Sequence, residues 1–398
     1  MVQAAPRGQA TPTTYVLDVS RLIWRLWRGR LPTGIDRVCL AYLAAFADNS
    51  LAMVQWQGRR FVLGARASRA LFALLAAGAA GLDRSRLVRL LGWAVPAALL
   101  RPPKVAGRVY LNVGHTGLDA SGLANWVRRH GLRAVHLVHD LIPITHPHFC
   151  RGGEAARHAV RMRGALESAS GIIVNSADTQ VALAQFAREE GLPMPPTVVA
   201  HLGIERLPDA ATSTQHPRPY FLAIGTIEGR KNHALLLEVW QGLNASMGPQ
   251  APDLVLIGQR GWQAAATFAA LDAAQHEKRD TGRVIELARC SDTELASWID
   301  GARALLMPSR VEGYGLPVLE ALARGTPVIA TDLAVYREIA GTIPLLLDPD
   351  DAAGWQAAVQ AYTHGSPERA RQLAALKDFH ALSWPEHFAA VEAWLCCL

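Results

Sequence analysis

Short, nearly continuous apolar runs recur along the chain, separated by longer stretches in which apolar residues return at helical spacing. The short runs read as buried strands and the longer stretches as amphipathic helices. From the amino terminus, the predicted strands are TYVLDVS from Thr14, Leu51–Trp56, Arg108–Val113, Ala134–Val138, Gly171–Ser176 and Val198–Leu202. A second series comprises Tyr220–Gly225, Asp253–Gly258, Arg283–Leu287, a run from Leu305 ending at Pro308, one from Pro327, and Thr342–Leu347. Val38, Tyr42 and Phe46 make one stripe of a helix over Arg37–Ala47, entered through a loop Thr33-Gly34-Ile35-Asp36. Strands alternating with helices predict an α/β fold of Rossmann-like, doubly wound sheets. The segment ERLPDAATSTQHPR, Glu205 to Arg218, has no apolar period and marks a boundary. The expected organisation is a loose tail over 1–13, a first domain over 14–205, a linker over 206–218, a second domain over 219–383 and a terminal helix over 384–398.

Candidate chemistry concentrates in Leu305–Thr331, LLMPSRVEGYGLPVLEALARGTPVIAT. Pro317 suits a first helical turn and Gly325 suits a helix exit, so the stretch predicts strand, loop, helix and strand in succession. Gly313 and Gly315 let the loop backbone approach a ligand closely, and the helix start offers free N–H groups to an anion such as a diphosphate. Glu312 and Glu320 flank that cradle. Carboxylates pair well with sugar hydroxyls and poorly with phosphate, which suggests a nucleotide-sugar. Past the strand ending at Gly225, the adjacent cations Arg230 and Lys231 suit a diphosphate leaving group. His139 stands at the end of a strand, where open α/β sheets bind ligands, and Gly34 follows the first strand, where a backbone approaches a phosphate or an acceptor. His146 and His148 follow His139 closely, but the prolines among them and the lack of a carboxylate at ligand spacing argue against a metal there. Asp348-Pro349-Asp350-Asp351 reads as a turn and helix cap.

The 398 residues favour two or more domains, and 50% apolar with 19% charged residues excludes overall disorder. A net charge of +6 suits anionic partners without choosing among nucleotide diphosphates, phospholipid and nucleic acid. The five cysteines show no Cys-x2-Cys spacing and are odd in number, so reduced thiols in a cytoplasmic protein are expected. MVQAAPRGQATPTT has no apolar core, and is not a secretory signal. The apolar region Ala70–Leu100 is interrupted by Asp83, Arg84, Arg86 and Arg89 and does not make one membrane span. Arg21, Arg25, Arg28 and Arg30 alternate with Trp24 and Trp27, and Val88, Leu90, Leu91 and Trp93 lie among cations in Arg84–Lys104. Both segments have the composition of a lipid headgroup boundary, which predicts peripheral contact with an anionic membrane. They are too short, and the acidic count too high, for a nucleic-acid binder.

The run PSRVEGYGLPVLEALARGTPV, with Glu312-x7-Glu320, resembles the Glu-x7-Glu signature of retaining glycosyltransferases of family 4 (glycosyltransferase group 1), which have the two-domain GT-B fold. His139-Asp140-Leu141-Ile142-Pro143 is similar to that family's donor-side motif, and Gly225 with Arg230-Lys231-Asn232 to its cationic motif. Together with Thr33-Gly34-Ile35-Asp36-Arg37-Val38, the His-Asp-Leu-Ile-Pro run resembles bacterial O-antigen and capsule transferases, several mannosyl-specific. The resemblance implies transfer of a hexosyl group, mannose favoured, from a nucleoside diphosphate sugar such as GDP-mannose to a saccharide or lipid-linked acceptor, in cell-surface polysaccharide or lipopolysaccharide synthesis. It implies no metal and no cofactor beyond the donor. Arg230 and Lys231 would stabilise the leaving diphosphate with the amides of Gly313, Tyr314, Gly315 and Leu316, and Gly34 and Gly225 would lie along the donor. Glu320 would hold the ribose, Glu312 and His139 the transferred sugar, while Arg289 and Cys290 would neighbour the base. The terminal helix would pack back on the first domain. A GT-B hydrolase or epimerase and a non-catalytic sugar-nucleotide-binding partner subunit stand as alternatives.

Overall fold

The computed structural model describes residues 14–29, 33–78, 83–209, 216–276 and 281–398. The expected loose tail, Arg30, and residues 210–215 of the linker lie outside the described residues. Strands β1 (Tyr15–Asp18), β2 (Ser50–Trp56), β3 (Arg59–Val62), β4 (Val109–Asn112), β5 (Arg133–Val138), β6 (Gly171–Val174) and β7 (Thr197–Val199) form one sheet, in the order β3-β2-β1-β4-β5-β6-β7. Strands β8 (Tyr220–Ile224), β9 (Asp253–Ile257), β10 (Val284–Leu287), β11 (Leu305–Met307), β12 (Val328–Thr331) and β13 (Leu345–Leu347) form the other, in the order β10-β9-β8-β11-β12-β13. Among the described residues every pairing is parallel except β2 with β3. Strand order reverses between β1 and β4 and again between β8 and β11, and at such switch points the loops after the strands leave a crevice for ligands.

Three local features differ from expectation. β3 carries too many polar residues to read as a buried run; it is an edge strand returned by the hairpin Gln57-Gly58, both in the left-handed region (φ 48° and 75°). The helix Ser20–Trp27 follows β1 directly, so Gly34 belongs to a second helix rather than to the first strand's loop. Finally, Thr33-Gly34-Ile35-Asp36 is the start of the helix Gly34–Phe46 rather than a loop before it. Thr33 caps that helix, and its N–H and Oγ1 both donate to Asp36 Oδ2 at 2.7 Å, a capping box. Arg21 and Arg25 turn inward to the same buried carboxylate, at 2.7 and 2.8 Å, and are not free to face lipid.

One contiguous buried cluster crosses from the first sheet to the second, with Leu202 and Leu207 on one side and Tyr314, Leu316 and Val335 on the other. The terminal helix Trp384–Leu395 lies against the first domain: Phe388 meets Tyr42 and Phe46 edge-on, and Tyr42 Oη is 2.9 Å from His387 Nε2. His387 Nδ1 donates to the His201 carbonyl at 2.9 Å, so Nε2 accepts from Tyr42. Ser383, just before this helix, bridges to Ile204.

Candidate active site

The loops after β8 and β11 stand side by side at the second sheet's switch point. The Arg310 N–H donates to the Arg230 carbonyl at 2.8 Å, tying one to the other. This contact brings Arg230, Lys231 and Glu312 together. Arg230 Nη1 lies 2.9 Å from Glu312 Oε2, Lys231 Nζ pairs with Glu312 Oε1, and Arg230 Nε lies 2.6 Å from Glu228. Burial pushes the Glu312 carboxyl up, but Lys231 and Arg230 outweigh it and hold it down at about 2. Burial lowers the Lys231 ammonium, which Glu312 partly offsets, and raises Glu228 despite its two cationic neighbours. Two cations and two carboxylates thus balance in a buried cluster, and an anion entering it would compete with Glu312 for both cations.

The backbone around the cluster needs its glycines. Gly315 has φ 112°, and a Cβ there would lie 2.6 Å from the Tyr336 ring. A Cβ on Gly313 would lie 2.9 Å from Asp140 Cβ and 3.1 Å from the His139 carbonyl oxygen, so the first domain's His139-Asp140 turn sits directly on this loop. Gly225 lies against Lys231, 3.5 Å from a built Cβ to Cε, and Leu316 starts the helix Leu316–Ala323 opposite Gly34, whose Cβ would be 4.0 Å from Leu316 Cδ1.

His139 is buried, and its Nε2 lies 2.7 Å from the Val113 carbonyl. A carbonyl only accepts, so Nε2 carries the proton and Nδ1 is left as an acceptor. Burial lowers the imidazole to about 4, which keeps it neutral near pH 7. Asp140 serves its own backbone, accepting from Ile142 N at 3.0 Å.

The other residues singled out in the sequence have partners outside the Glu312 cluster or lie away from it. Glu320 is buried on the helix Leu316–Ala323 and lies 2.5 Å from Arg37 Nη2 of the first domain. The Tyr314 hydroxyl donates to the Leu202 carbonyl at 3.0 Å, so its ring joins the domains rather than facing the cluster. Arg289 is exposed beyond β10, two strands out from β8, and the structure does not join it to the Glu312 cluster. Asp351 caps the helix Ala352–His364 through Gly354 N at 2.9 Å, and Asp348 accepts from Asp350 N at 2.8 Å. Among the described residues no group of three or more His, Cys, Asp or Glu side chains is placed to hold a metal ion.

Sequence reasoning missed Glu228, the partner role of Arg37, and Glu338. Glu338 accepts from Ala177 N and His201 Nε2, both at 2.7 Å, joining the second domain to a helix start of the first. Trp262 and Gln263 do likewise on another rim, donating to the Phe149 and Cys150 carbonyls at 3.2 and 2.6 Å. Glu228 adjoins the Arg-Lys pair in sequence and was open to discovery there; the cross-domain partners carry no local signal.

Two Rossmann-like sheets of this order make the GT-B fold. Anabaena HepE, solved in complex with UDP-glucose, shares this fold at a TM-score of 0.63 and 15% identity, over 97% of this chain and 100% of its own. Residues 209–376 match the family Glycosyl transferases group 1. The chain is 33% identical over 169 residues to O-antigen chain mannosyltransferase B of Escherichia coli, covering 42% of each chain. It is 29% identical over 235 residues to the serotype-specific mannosyltransferase WbdA of Escherichia coli, covering 54% of this chain and 28% of WbdA. The matched stretches span less than half the length of these curated relatives.

Proposed function

We propose that this protein is a retaining glycosyltransferase that moves a hexosyl group, mannose favoured, from a nucleoside diphosphate sugar to a saccharide or lipid-linked saccharide acceptor. The observation that carries the reading is the meeting of Arg230, Lys231 and Glu312 beside the glycine loop and the start of the helix Leu316–Ala323. A diphosphate placed there takes the two cations from Glu312 and meets the loop amides, so charge growing on the leaving group is stabilised where it develops. Glu312, released from its cations, and His139 Nδ1 accept hydrogen bonds from the transferred sugar. The bond from the anomeric carbon to phosphate breaks as the bond to the acceptor oxygen forms on the same face. The acceptor proton passes to the departing phosphate oxygen, so no protein base and no metal is required. GDP-mannose is the favoured donor because two mannosyltransferases are among the chain's relatives. Isothermal calorimetry against GDP, UDP and ADP without divalent metal tests this reading. Micromolar binding of one nucleotide is expected; no binding of any, with or without magnesium, sinks it.

A lipid-linked acceptor is supplied from a membrane surface, and we place the protein on the cytoplasmic face of one. Among the described residues no helix is long and apolar enough to cross a bilayer. Trp24, Trp27, Trp56, Val88, Trp93, Leu99 and Leu100 are all exposed on the first domain, Leu100 at 84%. Trp24 meets Trp56 edge-on at 6.3 Å and Arg84 lies over Trp27, which makes a mixed apolar and cationic face. Each such side chain gains about 1.5–3 kcal/mol on full burial, so glutamate at Trp93, Leu99 and Leu100 together is expected to abolish sedimentation with anionic vesicles. Sedimentation equal to wild type rules this face out.

A further inference from the structure

Glu320, expected at the ribose, is engaged in the structure by a partner from the opposite domain. Arg37 stands in the first turn of the helix Gly34–Phe46, Glu320 in the second turn of Leu316–Ala323, and the two meet at 2.5 Å beside the Gly34 and Leu316 contact. The Glu320 side chain is 2% exposed and that of Arg37 29%, so the carboxylate is enclosed while the guanidinium keeps an open side.

We propose that Arg37 is a positioning residue of the donor site, which reaches from the opposite domain to hold the Glu320 carboxylate aimed at the ribose diol. The assignment rests on the donor reading above. A carboxylate this enclosed is costly to keep charged without a cation near it. The other charged groups facing the pair are Glu205, just after the first sheet, and Asp292, opening the helix Asp292–Gly301. Burial raises the Glu320 carboxyl and both of these acidic groups raise it further, while among the described groups acting on it Arg37 opposes them and favours the ionised form. A planar guanidinium can hold one carboxylate oxygen and leave the other for a hydroxyl. The donor domain therefore draws part of its ribose contact from the acceptor domain.

The test compares wild type with Arg37→Ala and Arg37→Lys, each checked for a wild-type circular dichroism spectrum, against GDP and 2′,3′-dideoxy-GDP. A charge-assisted contact acting through the ribose predicts a loss of about 10- to 100-fold in GDP affinity for Arg37→Ala, a smaller loss for Arg37→Lys, and little change for the dideoxy analogue. The Arg37→Ala deficit should also narrow as pH rises, because Glu320 without its cation ionises only at higher pH. An equal loss for both nucleotides means that Arg37 is a strut between the domains, and overturns the proposal; so does an unchanged GDP affinity. Wild-type protein that binds no nucleoside diphosphate overturns the donor reading first and this assignment with it. Wild type that binds GDP and its dideoxy analogue equally overturns the Glu320 contact alone.

Discussion

Lys231→Ala lowers turnover by about 10²–10³-fold, the scale of one lost preorganised electrostatic donor, and weakens nucleoside diphosphate binding less than it weakens turnover. The reason lies in where the ammonium sits. Its side chain is 11% exposed, held by Glu312 and packed beside Gly225, so its charge acts through protein rather than water and needs no reorganisation when the diphosphate leaves. Arg230 cannot take over the role, since it spans Glu228 and Glu312 and donates to the Val311 carbonyl. Removing Lys231 also leaves Glu312 with one cation instead of two, which lowers stability as well as rate. Single-turnover rates measured well below the melting transition separate the two effects, and Lys231→Arg should recover part of the rate by restoring charge. Near-normal turnover in Lys231→Ala means the diphosphate leaves elsewhere.

What the amino-acid pattern disclosed follows from how local each signal is. Strands such as β6 and β8 are buried on both faces and read as unbroken apolar runs, so the two sheets were legible. β3, with Arg59 and Arg60 on an edge, has no such run and declares itself only through the Gln57-Gly58 turn. In the site, the glycines and Glu312 sit in one short loop and the Arg-Lys pair in another, and each loop follows a strand. A strand end that leads through glycines into a helix start has few chemical uses, which made both loops readable singly. Their meeting was not readable, since it depends on β8 and β11 lying side by side despite two intervening strands. The same limit hid Arg37 from Glu320 and Glu338 from Ala177: each pair joins different domains.

Glu312→Gln should cost about 3–5 kcal/mol of stability at neutral pH, the range for removing one partner of a buried ion pair. The amide keeps the shape but leaves Lys231 and Arg230 without their shared counter-charge in a buried place. Lys231, already lowered by burial, can relieve part of the cost by losing its proton; Arg230 cannot, and keeps its ion pair with Glu228. The pH dependence has a definite sign. Glu312 is held at about 2 in the folded protein, against 4.5 for the unperturbed group. A carboxyl depressed on folding adds stability that is complete above its unfolded value and is lost as pH falls through the folded one. The gap between wild type and Glu312→Gln in urea unfolding should therefore be full at neutral pH and shrink as pH falls from about 4.5 towards 2. A gap that stays constant across that range means that Glu312 is not ionised by its two neighbours. The freed cations give a second readout: a saturating nucleoside diphosphate should raise the melting temperature of Glu312→Gln more than that of wild type, because only in wild type must the diphosphate displace a carboxylate. Equal shifts in the two proteins place the diphosphate away from Arg230 and Lys231.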